Sequence, residues 1–198
     1  TWFCRKIMEN QKNKFDVFIY SEDKMLLTKK NFRYWLDHKD LCIKNDYNLG
    51  FLRYEIKNKT FYSDDQVAKS KYYVNLLNKK YIVPQNTSCA FWIYDKKEFK
   101  SFIKTKYWKF DWKFVTLSGV LLIREMSMIG WHGINMNGID MNRYLATIIP
   151  LKKGQLDKNS FIRDLTNKYI MNPRGLFGTF KVKDIPEQNL QEFKPITP

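Results

Sequence analysis

Two adjacent carboxylates, Glu22 and Asp23, follow the apolar run Val17-Phe18-Ile19-Tyr20 and precede Lys24. A run that short, aromatic and β-branched reads as a strand buried on both faces. Its abrupt end at Ser21-Glu22-Asp23-Lys24 exposes polar groups where open α/β sheets hold their ligands. Paired carboxylates there can hold a hard divalent cation, which in turn neutralises a diphosphate; an ordinary loop or helix cap is the plainer alternative. Further along, Arg124-Glu125 opens a helix after Val115-Thr116-Leu117-Ser118-Gly119. This sets the Glu125 carboxylate near a helix N-terminus, where it is either a reactive group or a helix-dipole or salt-bridge residue. Trp131 and His132 lie between Gly130 and Gly133, a pattern suited to a loop whose backbone and rings approach a ligand closely, or to a structural turn.

Arg53 and Glu55, and Asn167 and Tyr169, are polar groups on otherwise apolar segments. Such groups need partners when buried, so structural hydrogen bonding is the first account of them and ligand binding the second. No phosphate-binding Gly-x-x-x-x-Gly-Lys-Ser/Thr loop, dinucleotide Gly-x-Gly-x-x-Gly, Gly-x-Ser-x-Gly elbow or His-Glu-x-x-His pair occurs. The corresponding ATPase, dehydrogenase, hydrolase and metalloprotease readings therefore fall away. Cys4, Cys42 and Cys89 are odd in number and far apart, which predicts buried free thiols and weakly favours a reducing compartment.

The net charge of +15 would suit a polyanion. Only seven of the 35 basic residues are Arg, however, leaving 28 Lys. Arg is the usual residue for bidentate phosphate and base recognition, so a compositional bias toward Lys explains the charge more simply than nucleic-acid binding does. No run approaches the ~20 apolar residues a membrane-spanning helix requires. The sequence begins Thr1-Trp2 without an initiator Met, so an upstream segment carrying any targeting information is expected. The compartment stays open between cytoplasm and, if an N-terminal anchor has been removed, Golgi lumen.

The elements that must position these residues follow from periodicity. Residues 2–13 place Trp2, Phe3, Lys6, Ile7 and Asn10 on one helical face. Thr28 caps a helix over 29–41 that turns Phe32, Trp35, Leu36 and Leu41 inward. A strand at 49–56 runs into an Asn58-Lys59 hairpin turn and returns through residues 60–63; residues 72–83 read as extended chain with a second turn at Asn78-Lys79. The aromatic strand 90–94 is expected to be mostly core, with at most one of Phe91, Trp92 and Tyr94 left for a ligand. It leads to a helix capped by Asp95 with Glu98 three positions on. A strand over 144–151 is expected to end at Pro150, a helix-like stretch covers 161–169, and a strand lies at 178–182. Helix and strand alternate, with no internal repeat, which predicts an α/β architecture: a mixed sheet flanked by helices.

These segments resemble, in order, the GT-A-type nucleotide-sugar-dependent glycosyltransferases. The residues that carry the likeness are Phe18-Ile19-Tyr20-x-Glu22-Asp23, a helix with Trp35-Leu36, Asn48 through Glu55, Ala90 through Phe99, Arg124-Glu125-Met126-Ser127 and Leu165-Thr166-Asn167-Lys168-Tyr169. It covers about residues 14–185, and its strength lies in the order of the motifs. The resemblance implies a Rossmann-like GT-A domain over 1–185, lacking part of the nucleotide-binding half, with a tail at 186–198. It implies transfer of a sugar from a nucleotide-sugar donor to a glycan or glycoprotein hydroxyl, with manganese or magnesium as the metal. Glu22, Asp23 and Lys24 take the place of the acidic diphosphate motif, Asp23 and Asp164 that of the metal ligands, and Glu125 that of the general base. Arg124, Trp131 and His132 are then acceptor- or sugar-binding residues, Trp131 offering a stacking face.

Two positions depart from the family pattern: Lys24 stands where a second acidic residue is expected, and Asp164 where His is expected. If the two face one another, they can form an ion pair where a cation would otherwise sit, and the ammonium can itself meet the diphosphate. Metal independence or lost activity follows as an expectation; a solvent-pointing Lys24 is the alternative. Beside the working transferase stand two other readings, a degenerate transferase-like domain that binds glycan or a protein partner, and a basic nucleic-acid-binding module.

Overall fold

The computed structural model describes residues 2–63, 70–84, 91–105, 108–109, 146–172, 180–184 and 189–194. The protein is mixed α/β, with sheets flanked by helices. The chain divides into two compact units, 1–23 with 89–143 and 24–88 with 144–198. Among the described residues no helix is long and apolar enough to cross a membrane.

In the first unit, helix α1 (Trp2–Asn10) precedes strand β1 (Val17–Ser21), which pairs antiparallel with the later strand Phe91–Asp95. The aromatic strand is core throughout, as its composition requires: Phe91, Trp92, Ile93 and Tyr94 are all buried. Asp95 caps helix Lys96–Phe102 by accepting from the Glu98 N–H at 2.8 Å. Trp92, Phe99 and Phe102 close the core with Phe18 and Trp108. β1 is not buried on both faces: among the described residues it pairs with one antiparallel strand, and Ile19 is left exposed. The face of α1 also differs from expectation: Phe3 and Ile7 are exposed and Arg5 is buried. Arg5 donates to the Trp108 carbonyl at 2.9 Å and lies over the Phe102 and Trp108 rings, while Glu9 accepts from the Trp108 indole at 2.9 Å. An aromatic wall with polar edges thus selects the cationic stripe of the helix over its apolar one.

The second unit holds two sheets. Strand β2 (Met25–Leu26) leads to helix α2 (Lys29–Lys44), whose N-cap Thr28 and Asn31 form a reciprocal box. Tyr34, Trp35 and Cys42 are buried, whereas Leu36 faces out; the helix is anchored by polar tips, which turns its face away from the purely apolar stripe. Tyr34 donates to the Gly50 carbonyl at 2.8 Å, and Asn31 Nδ2 donates to the Asn159 and Phe161 carbonyls, each at 2.8 Å. Burial pushes the Cys42 thiol up to about 12, so it is an inert packing group.

Strands β3 (Tyr47–Leu49), β4 (Leu52–Lys57) and β5 (Thr60–Ser63) follow, the last two joined by Asn58 and Lys59, both at positive φ. β6 (Tyr72–Leu76) and β7 (Lys79–Val83) form the next hairpin. Its turn is Leu77-Asn78, one residue earlier than expected, because Leu76 pairs with Lys79 and the two-residue turn needs both central residues at positive φ. With Phe91–Asp95 as β8, strand β9 (Ala146–Lys152) passes through Pro150 instead of ending there. Pro150 falls between the stretch of β9 that pairs with β3 and the stretch that pairs with β10 (Gln155–Leu156), and its carbonyl accepts from Asp157 N at 3.0 Å. Pro150 stays paired with Tyr81 of β7 on one side, and its missing N–H lies on the other, in the gap between β3 and β10.

Residues 161–164, expected as helix, are strand β11 (Phe161–Asp164), and only Lys168–Met171 (α4, with Lys96–Phe102 as α3) is helical. β12 (Phe180–Lys181) pairs with β5, and β13 (Gln191–Glu192), in the segment read as a tail, pairs parallel with β6. The sheet orders are β10-β9-β7-β6-β13 with β3 on β9, and β12-β5-β4-β11-β2.

Gly50 sets how closely β3 and β9 meet. Its N–H donates to Ile148 O at 2.8 Å, and an added Cβ would lie 2.6 Å from Thr147 Cγ2 and 3.0 Å from Ile149 Cγ1. Gly50→Ala is expected to destabilise the protein by about 1–3 kcal/mol through overpacking, read as a lower Tm in thermal unfolding followed by circular dichroism.

A buried charged face at the end of a strand

β4 and β11 run parallel with Arg53 beside Ile162, and β11 pairs on its other side with β2, Asp164 beside Met25. Side chains alternate across a sheet, so Arg53, Glu55, Ile162 and Asp164 share one face and Leu52, Tyr54 and Phe161 the other. Arg53, Glu55 and Asp164 are all buried. Unpartnered charges there would cost several kcal/mol each, and the local chain is folded so that each has a partner.

Glu55 accepts from the Tyr169 and Ile170 backbone N–H groups at 3.1 and 2.7 Å. Those two donors are among the groups that the first turn of α4 leaves without helical partners. The Arg53 guanidinium lies 5.2 Å from the centre of the Tyr169 ring. Asn167, in the left-handed conformation at φ 51°, accepts from Ile56 N at 3.3 Å and so ties the chain reversal after β11 back to β4. Asn tolerates that conformation better than most residues. The four polar residues singled out on the apolar segments thus meet in one cluster, in structural roles.

Asp164 ends β11. Its Oδ1 accepts from Thr166 N at 2.9 Å and Thr166 Oγ1 at 2.6 Å, and its Oδ2 lies 3.4 Å from Lys24 Nζ. The Lys24 carbonyl accepts from Leu165 N at 2.9 Å, which extends the β2–β11 pairing by one step and holds Lys24 in place. The expected pairing of Lys24 with Asp164 is therefore present. Burial pushes the Asp164 carboxyl up, but the two Thr166 hydrogen bonds and the charges of Lys24 and Arg53 outweigh it, so its pKa lies below the usual carboxylate value. The Asp164 side chain is fully buried while Lys24 keeps 22% of its side-chain surface exposed. The carboxylate is the buried half of the pair and the ammonium the partly exposed half.

This donor set does not fit a divalent cation. One carboxylate oxygen is committed to Thr166 and an ammonium stands at the other, so a metal at Asp164 would have to displace Lys24. Among the described residues no group of three or more His, Cys, Asp or Glu side chains converges.

Glu22 is half-buried and Asp23 exposed just beyond the end of β1, with the Glu22 carbonyl accepting from Ser21 Oγ at 3.1 Å. The division between the two units falls between Asp23 and Lys24. Arg124, Glu125, Trp131 and His132 lie outside the described residues, as does the helix expected at 124–129. His38 on α2 is half-buried, its Nδ1 3.3 Å from the Tyr81 hydroxyl. Burial, with help from Lys79, lowers its pKa. What the sequence did not show was the partner of each polar residue. The alternation of Arg53 and Glu55 with Leu52 and Tyr54 was the available signal, since it marks a strand with one charged buried face.

No family model, curated protein or solved structure matches this chain.

Asp164→Asn is expected to cost about 3–5 kcal/mol, because it leaves Lys24 facing a neutral amide. Since the folded-state pKa of Asp164 is depressed, its stabilisation is fully present above the unfolded carboxylate value of about 4 and is lost as pH falls through the folded value. Urea unfolding across that acid range should show a shallower pH dependence for the variant than for the native protein.

Proposed function

We propose that this chain is a GT-A-type glycosyltransferase domain that engages the diphosphate of a nucleotide-sugar donor through Lys24, without a metal ion bridging it to Asp164. The observation that carries the reading is the Lys24–Asp164 pair, 3.4 Å apart at the end of β11. It stands at the two positions where the resemblance puts the diphosphate and metal ligands. An ammonium held there by a buried carboxylate supplies positive charge to a phosphate oxygen as a point charge. Asp164 positions it, Thr166 fixes Asp164, and the Leu165–Lys24 backbone bond fixes the reach of the lysine. Glu22 and Asp23 precede Lys24 in the same motif, and their assignment to the donor rests on the resemblance alone.

The chemical step is displacement at the anomeric carbon of the donor sugar. The acceptor hydroxyl oxygen bonds to that carbon, the bond to the diphosphate oxygen breaks, and the leaving diphosphate carries the electron pair away. Its growing negative charge is what Lys24 stabilises. Glu125 is proposed as the base that takes the hydroxyl proton, and Arg124, Trp131 and His132 as acceptor or sugar contacts; these four assignments rest on the resemblance. The acceptor is a glycan or glycoprotein hydroxyl.

Donor hydrolysis and transfer by the full-length protein should persist in excess chelator; complete loss that manganese restores would remove the metal-independent reading. Lys24→Ala should lower kcat/KM for the donor roughly 10- to 100-fold, the worth of one hydrogen bond to a charged group, with Lys24→Arg retaining more than Lys24→Ala. No turnover with any nucleotide sugar, alongside glycan binding, would instead support the degenerate binding domain. Glu125→Gln is expected to abolish transfer while sparing donor binding, and an unchanged transfer rate would sink the base assignment.

A further inference from the structure

The face of the β12-β5-β4-β11-β2 sheet opposite Asp164 is aromatic. Phe61, Tyr54 and Phe161 lie across three adjacent strands, with ring centres 4.8 Å apart for Tyr54 and Phe61 and 5.9 Å apart for Tyr54 and Phe161. Leu156 and Val182 join Phe161 at the edge of the apolar cluster around Leu52, Ile82 and Ile149. Between these groups is a cavity of about 320 Å³, floored by Phe61, Leu156, Phe161 and Val182. Phe61 keeps 38% of its surface exposed there.

Three lysines stand around that floor: Lys59 from the β4–β5 turn, Lys158 from the short 3-10 turn Lys158–Ser160, and Lys183 from the turn Val182–Asp184. Among the described residues that line the cavity none is acidic. The nearest carboxylate in sequence on the β10 side, Asp157, is committed to capping, its Oδ1 accepting from Asn159 N at 2.9 Å. None of the three lysines has an ion-pair partner among the described residues. Three like charges gathered on separate turns repel one another unless an anion sits among them. The volume lies at the lower end of the range for small-molecule sites, too small for a folded macromolecular partner.

We propose that this cavity is a binding site for a small amphiphilic anion, a compact planar apolar body bearing one acidic group. The body lies against Phe61 and Phe161 and the acidic group meets Lys59, Lys158 and Lys183. The site is on the other face of the sheet from Lys24 and does not rest on the transferase reading, so a ligand here would be distinct from the donor diphosphate.

The probe is 8-anilino-1-naphthalenesulfonate, titrated against the full chain with its fluorescence as readout, beside N-phenyl-1-naphthylamine, which has the same apolar body without the sulfonate. Wild type should bind the sulfonate at least tenfold more tightly than the neutral probe, with an affinity that falls as salt rises. The triple variant Lys59→Gln, Lys158→Gln, Lys183→Gln should lose about tenfold for the sulfonate and little for the neutral probe. Phe61→Ala should weaken both. A control triple variant at exposed α2 positions, Lys29→Gln, Lys30→Gln, Lys44→Gln, should bind both probes as wild type does. Equal affinity of wild type for the two probes, unchanged sulfonate binding by the cavity triple variant, or an equal loss in the control would overturn the proposal.

Discussion

Two carboxylates buried on one face of a β-sheet, Glu55 and Asp164, constrain the rest of the second unit. A charge withdrawn from water must be met by charges and donors at close range, or it destabilises the fold by more than any single apolar contact returns. Each nearby feature answers that demand. β2 brings Lys24 to Asp164, the turn after β11 turns both Thr166 donors onto the same oxygen, and α4 begins where its free N–H groups meet Glu55. Asn167 takes up the left-handed backbone that this reversal requires.

Helix α2 holds the same sheet from its other end. Asn31 is fully engaged: it accepts from the Thr28 N–H of its own cap and donates to the carbonyls of Asn159 and Phe161, at the entry to β11. One turn further on, Tyr34 bonds to Gly50 O, while Gly50 N bonds to Ile148. A single helix thus ties the start of the strand that carries Asp164 to the junction of β3 with β9. The sheet so fixed is two-sided, with Arg53, Glu55, Asp164 and the partly exposed Lys24 ammonium on one face and the tilted rings of Tyr54, Phe61 and Phe161, beside Arg163, on the other. Strand alternation alone produces that division.

Features set by a few neighbouring residues were legible in the sequence. The Thr28 cap, the Asp95 cap with Glu98 and the Asn58-Lys59 turn form as expected because their hydrogen bonds and φ angles are local. The aromatic strand Phe91–Asp95 is core because little else can bury four such side chains in succession. Expectations failed where a distant surface made the choice. Arg5 displaces Phe3 and Ile7 from the buried face of α1 because Trp108 offers a carbonyl and a ring. Phe161–Asp164 is strand, not helix, because β4 and β2 flank it on both sides. Pro150 does not stop β9 because β7 still pairs with it while β3 and β10 leave a gap on its other side.

For the candidate site the division is the same. The sequence by itself determined which polar residues interrupt apolar segments and where the acidic pair and Lys24 fall along the chain. Tertiary structure alone decided that Lys24 and Asp164 stand 3.4 Å apart and that Glu55 serves a helix start more than a hundred residues later. It alone gathered three lysines around an aromatic floor. Sequence spacing fixes which face of an element a side chain occupies; which charges share that face is fixed only when strands distant in the chain are hydrogen-bonded into one register.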